Sequence, residues 1–176
     1  MFSNILVAVD GSETAAHAFE TALQVACETG ARLHPLYVID LPLMIPEVPG
    51  VDPVVMRQAL EQDGERVMRH CVGSMARLGV QGMPEIDDLK RPEEDVAHRI
   101  DAAAARRHAD LIVIGTHGRH GTHHASLGSV AEQVLRGASC PVLAVPASRE
   151  AASKERLAGE PSADRSRRTP EECVNT

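Results

Sequence analysis

A chain of 176 residues is long enough for one domain with a sizeable core and a tail. Its formal net charge of −7 and aromatic content of 2% argue against nucleic-acid binding, which needs a basic face or stacking aromatics. Cys27, Cys71, Cys140 and Cys173 form no CxxC pair, which argues against a disulfide framework or zinc knuckle and for reduced thiols.

Ile5 to Val9 is an all-apolar run ending at Asp10-Gly11-Ser12, a first buried strand that delivers an aspartate to its carboxyl end. The run is too short for a membrane span and has no basic region before it, so a cytoplasmic location is expected. In open parallel sheets, ligands sit beyond the carboxyl ends of the strands where the winding reverses, so Asp10 is placed to meet one. The alternative is that Asp10 only caps the helix starting near Glu13. In that helix Ala15, Ala18, Phe19, Ala22, Val25 and Ala26 share one face, and Gly30 stands just past its end. Arg32 to Ile39 is a second strand ending at Asp40, which lies beside Asp10 if the two strands are neighbours.

Leu41 to Val51, with Pro42, Pro46, Pro49 and Gly50, reads as a loop over the sheet edge. Asp52-Pro53 opens a second helix with a cap and a first-turn proline. Its buried stripe is expected at Met56, Leu60, Val67, Cys71, Met75 and Leu78. Gly64 weakens the middle of that helix by about 1 kcal/mol relative to alanine and suggests a bend there. Met83 to Leu89 is an edge strand, because Pro84 and Asp87-Asp88 suit an edge better than a centre. Pro92 to His108 is a helix with Val96, Ile100, Ala103 and Ala104 inward and a cationic end that suits the macrodipole.

The stretch from Asp110 to Pro146 organises the rest. Leu111-Ile112-Val113-Ile114 is a strand buried on both faces, and Gly115, Gly118, Gly121 and Gly128 then punctuate a loop. Ser129 with Glu132 three residues on forms a capping-box pattern, so a helix is expected from there to Arg136, with Gly137 as its stop and Val142 to Val145 as the last strand. Strand, glycine loop and helix N-terminus together suit phosphate, because oxygens can reach the backbone N–H groups and the positive dipole end. The loop has neither GxxxxGK[ST] nor GxGxxG. The alternation of elements, with right-handed crossovers, predicts one doubly wound α/β domain ending near Pro146.

The spacing Gly115-x2-Gly118-x9-Gly128-Ser129 resembles that of the ATP-binding universal stress proteins, and three flanking stretches match too. These are Ala109 to Arg119, Gly128 to Leu135 and Cys140 to Pro146. The resemblance covers residues 1–146 and implies a five-stranded parallel sheet in the order 3-2-1-4-5, flanked by helices. It also implies a site for ATP, or for AMP or another adenine nucleotide, accompanied by Mg²⁺. By resemblance, Asp10 contacts the adenosine part and the Val38 backbone meets the adenine edge. Gly115, Gly118, Gly128, Ser129 and Val130 cradle phosphates, with Ala8 and Ile114 also at the site. Arg119 would pair with the β- or γ-phosphate, or else stand as an exposed loop cation. A homodimer through the last strand, residues 142–145, is implied as well. Where the family usually has glycine after the edge strand, this chain has Lys90-Arg91, two cations that would reach a polyphosphate or simply be solvated.

No general base stands out, so slow ATP hydrolysis at most is expected from a nucleotide-responsive regulator in stress response. One alternative is an interaction module of the same fold that binds no ATP. Another is a metal-binding variant using His117, His120, His123 and His124, whose imidazoles would otherwise form an exposed polar loop or strengthen a phosphate contact near pH 6. Residues 147–176 have almost no large apolar side chain and read as a polar tail, disordered or loosely docked, with fair helix formers from Ala151 to Leu157.

Overall fold

The computed structural model describes residues 1–41, 52–91, 94–118 and 127–147. The proline-rich loop, Pro92, Arg119, His120, His123, His124 and the tail beyond Ala147 lie outside the described residues. Strands and helices alternate as β1 (Asn4–Ala8), α1 (Glu13–Thr29), β2 (Arg32–Ile39), α2 (Pro53–Leu78) and β3 (Glu85–Asp88). They continue as α3 (Val96–Arg107), β4 (Leu111–Gly115), α4 (Ser129–Gly137) and β5 (Val142–Val145). The five strands form one parallel sheet in the order β3-β2-β1-β4-β5, as the sequence predicts.

Two-residue alternation sorts the strand side chains into two cores. Ile5 and Val7 of β1 and Leu111 and Val113 of β4 pack with Phe19 of α1 and Met68, Cys71 and Met75 of α2. Leu6, Ile112 and Ile114 point the other way, onto Ile100, Ala103 and Ala104 of α3 and Ala131 and Val134 of α4. Burial pushes the Cys71 thiol up to about 12, so it packs as an apolar group.

Each of the first three helices starts on a side-chain cap: Ser12 accepts from Ala15 N–H at 3.1 Å, Asp52 from Val54 N–H at 2.8 Å, and Asp95 from His98 N–H at 2.8 Å. Because Asp95 supplies the cap, α3 begins at Val96 and not at Pro92. Along α2 the inward stripe is Gly64, Met68, Cys71 and Met75, with Leu60 and Val67 only partly buried beside it. Met56 and Leu78, expected inward, are 42% and 59% exposed, because this 26-residue helix overshoots the sheet at both ends. α2 runs continuously through Gly64, where a Cβ would meet the Tyr37 ring at 3.0 Å.

β3 is an outer strand, as expected, but Asp87 does not face solvent: it is 8% exposed and paired with Arg99 of α3, itself 7% exposed. Burial alone would raise the Asp87 carboxyl, and the Asp88 N–H and the Arg99 guanidinium outweigh it and hold it below the usual range. Arg106 and Arg107 reach Glu85 at 2.7 and 2.8 Å, and Arg57 of α2 reaches Asp88 at 2.7 Å. Removing one partner of a buried ion pair strands the other charge, so Asp87→Ala should destabilise the fold by about 3 kcal/mol in a urea titration.

His34, 4% exposed on β2, fastens the approach to β3: its Nδ1 accepts from Met83 N–H at 3.1 Å, and its Nε2 lies 3.5 Å from Asn4 Oδ1. Burial, then the nearby Arg107, lowers its pKa below 6.5. The unfolded chain therefore takes up this proton first, and stability present above about pH 6.5 is lost as pH falls toward the folded value. His34→Asn keeps a neutral acceptor. Melting temperatures from pH 7.5 to 5 should therefore fall more steeply for the parent than for this variant.

Candidate functional site

The chain winds from β1 outward through β2 to β3, then crosses back to β4 on the other side of β1. The carboxyl ends of β1 and β4 therefore flank the reversal, where an open parallel sheet leaves a crevice. Asp10 stands there. Its Oδ1 accepts the Ser12 N–H at 2.9 Å, and Ser12 in turn caps α1, so Asp10 shapes the turn while the cap belongs to its neighbour.

Across the crevice, Thr116 N–H donates to the Val145 carbonyl at 2.9 Å, and the Thr116 carbonyl accepts the Gly128 N–H at 2.8 Å. This second bond ties the two ends of the glycine-rich stretch together. Gly128 is the N-cap of α4, with no side-chain hydrogen bond, so Ser129 is the first helical residue. The capping-box expectation is corrected accordingly: the pattern Ser129-x-x-Glu132 is present, but the backbone enters the helix one residue earlier. The first intrahelical bond is Glu132 N–H to the Gly128 carbonyl at 2.9 Å, so the amides of Ser129, Val130 and Ala131 precede it. These are the donors α4 turns toward an anion, whereas the Gly128 amide is already engaged by Thr116.

Two glycines of the crevice approach other elements closely. A Cβ on Gly115 would lie 2.9 Å from Thr14 Cγ2 and 3.2 Å from the Thr14 carbonyl carbon, so β4 could not sit against the start of α1. A Cβ on Gly118 would meet Asp10 Oδ2 at 2.8 Å, which brings the loop within touching distance of the β1 aspartate.

Between these parts lies a cavity of about 480 Å³, within the usual range for small-molecule sites. Ala8, Asp10, Val38, Ile114, Gly115, Gly118, Gly128, Ser129 and Val130 all line it, so the fold brings together the sequence-predicted set apart from Arg119, which lies outside the described residues. Leu36, Val96 and Ile100 add apolar wall, and Asp40, Thr116 and His117 add polar groups. Of these, Asp40 was legible as the end of the second strand; Val96 and Ile100 read only as core. His117 Nδ1 lies 3.0 Å from Thr116 Oγ1. Among the described residues, no group of three or more His, Cys, Asp or Glu could hold a metal ion. Lys90 and Arg91 do not line the cavity: their side chains lie 3.8 Å from Asp87 and 3.6 Å from Glu94. No described helix is long and apolar enough to cross a membrane.

An open, doubly wound parallel sheet with a glycine-rich strand-to-helix turn at its winding reversal defines the class: an α/β protein with a ligand crevice at the strand ends. Within that class the chain belongs to the universal stress protein family, whose profile matches residues 1–146. A universal stress protein of Thermus aquaticus is 34% identical over 145 residues, covering 82% of this chain and 99% of its own. The solved structure of a family member from Burkholderia pseudomallei is 44% identical with a TM-score of 0.67, covering 82% of this chain and 96% of that one. A family protein from Arabidopsis thaliana, solved with AMP bound, is 20% identical with a TM-score of 0.61, covering 85% and 94%. At that identity the likeness shows the fold alone.

Gly115→Ala forces Thr14 and the α1 backbone to shift and should cost about 1–3 kcal/mol. Gly118→Ala displaces only the far end of the Asp10 side chain, so chemical denaturation should show a smaller loss.

Proposed function

We propose that the protein binds an adenine nucleotide in the cavity at the strand ends and acts as a nucleotide-responsive regulator in stress response, with slow ATP hydrolysis at most. One observation carries this reading: residues scattered from Ala8 to Val130, which the family resemblance implies at a nucleotide site, line a single cavity. The apolar wall of Leu36, Val38, Ile114 and Ile100 suits a purine. The start of α4 suits an anion because its amides at Ser129 and Val130 precede the first helical bond and no side chain caps them. The AMP reported in the Arabidopsis thaliana relative supports the ligand class.

With ATP, Mg²⁺ would be held mainly through the phosphates. Arg119 would serve the β- or γ-phosphate. The protein would act as a homodimer through β5, an outer strand whose four residues are all apolar, and would signal to a partner protein.

A ligand at a hundred times its dissociation constant stabilises a fold by about 2.7 kcal/mol. ATP with Mg²⁺, or AMP, should therefore raise the melting temperature by roughly 5–10 °C for a domain this size. Gly118→Leu should abolish that rise while the unliganded protein still melts cooperatively. A parent protein that ignores every adenine nucleotide would defeat the reading and favour a fold used for protein contacts.

A further inference from the structure

Resting on the adenine-nucleotide reading above, we propose that Asp40 is a specificity residue, a carboxylate that accepts a hydrogen bond from the exocyclic 6-amino group of the bound base. The inference begins with the order β2-β1-β4 at the cavity. The anion-facing start of α4 follows β4, Asp10 follows β1, and Val38 and Asp40 stand at the end of β2. Neighbouring strands lie about 4.8 Å apart, so the cavity measures roughly 10 Å from β4 to β2. That is the span a mononucleotide needs between its phosphate and the far edge of its base. The phosphate end is fixed at α4 by the amides of Ser129 and Val130, so the base falls over β2.

Register then separates the two aspartates. Ala8 is level with Leu36, and Val9 N–H donates to the Leu36 carbonyl at 2.9 Å, so continuing the pairing sets Asp10 level with Val38. Asp40 lies two residues further along, at the rim of the same cavity. The Asp10 carboxylate is partly committed to the Ser12 N–H, and the carboxylates of β3 are committed to arginines. Asp40 is exposed and makes no hydrogen bond or ion pair among the described residues, so its acceptor capacity is open to a ligand. An ionised carboxylate only accepts. On an adenine ring the donor it can engage is the 6-amino group, since the ring nitrogens are acceptors. The separation of roughly 10 Å keeps the carboxylate out of direct contact with the phosphate end.

Isothermal titration of the full chain with AMP and with purine riboside 5′-monophosphate, which carries hydrogen in place of the 6-amino group, tests this directly. The parent should prefer AMP by about tenfold, the discrimination expected of one charge-assisted hydrogen bond at a partly exposed site. Asp40→Ala should weaken AMP by the same factor, leave the amino-free analogue unchanged, and keep the melting temperature of the unliganded protein. Loss of both ligands alike, or of neither, would overturn the role for Asp40 while leaving nucleotide binding intact. A parent that binds neither compound would remove the underlying reading and this inference together.

Discussion

Pairing of β1 with β4 is the contact on which the rest of the molecule depends. It joins Ile5, Leu6 and Val7 to Leu111, Ile112 and Val113, segments separated by more than half of the domain. The Asp110 side chain secures it at the amino end by accepting Ser3 N–H at 2.7 Å and Asn4 N–H at 3.1 Å. Because both strands are covered on both faces, no polar group can be tolerated along their length without a partner. Polar chemistry is displaced to their carboxyl ends, where Asp10 and the glycine turn emerge side by side. Crevice and core are thus two results of one pairing.

What the sequence made legible follows from where each signal is local. Continuous apolar runs at Ile5 to Val9 and Leu111 to Ile114 declare buried parallel strands, and the glycine spacing declares a turn that must pass close to something. The spacing did not reveal what each glycine approaches: Gly115 lies against Thr14, a hundred residues earlier, and Gly118 lies against Asp10. Features that rest on distant partners are less legible. Asp87 marks β3 as an edge strand, which it is, but its pairing with Arg99 of the next helix is not visible in the local sequence. Ser129 and Glu132 reproduce a capping pattern, yet the hydrogen bond between Gly128 and Thr116 sets the helix start one residue earlier. The stripe of α2 drifted for a geometric reason: periodicity tells which residues share a face, but not how far the sheet extends beneath a 26-residue helix.

Tying Thr116 to Gly128 also settles how the anion-facing end of the crevice is built. The bond satisfies the Gly128 amide and holds the α4 backbone against the end of β4, so the next amides are aimed by main-chain geometry. Side chains contribute shape at the other end, where Leu36, Val38, Val96 and Ile100 form a wall that needs only volume and apolarity. The crevice is thus divided between an end shaped by main-chain geometry and an end shaped by apolar side chains.

The two margins of the sheet differ in chemistry. At β3, Glu85, Asp87 and Asp88 are locked to Arg99, Arg106, Arg107 and Arg57, and β5 offers Val142, Leu143, Ala144 and Val145. A ribbon finished with charge along one border and left plain along the other can accept a neighbour from a single direction. A surface meeting β5 would therefore find apolar side chains, whereas one meeting β3 would find charges already paired.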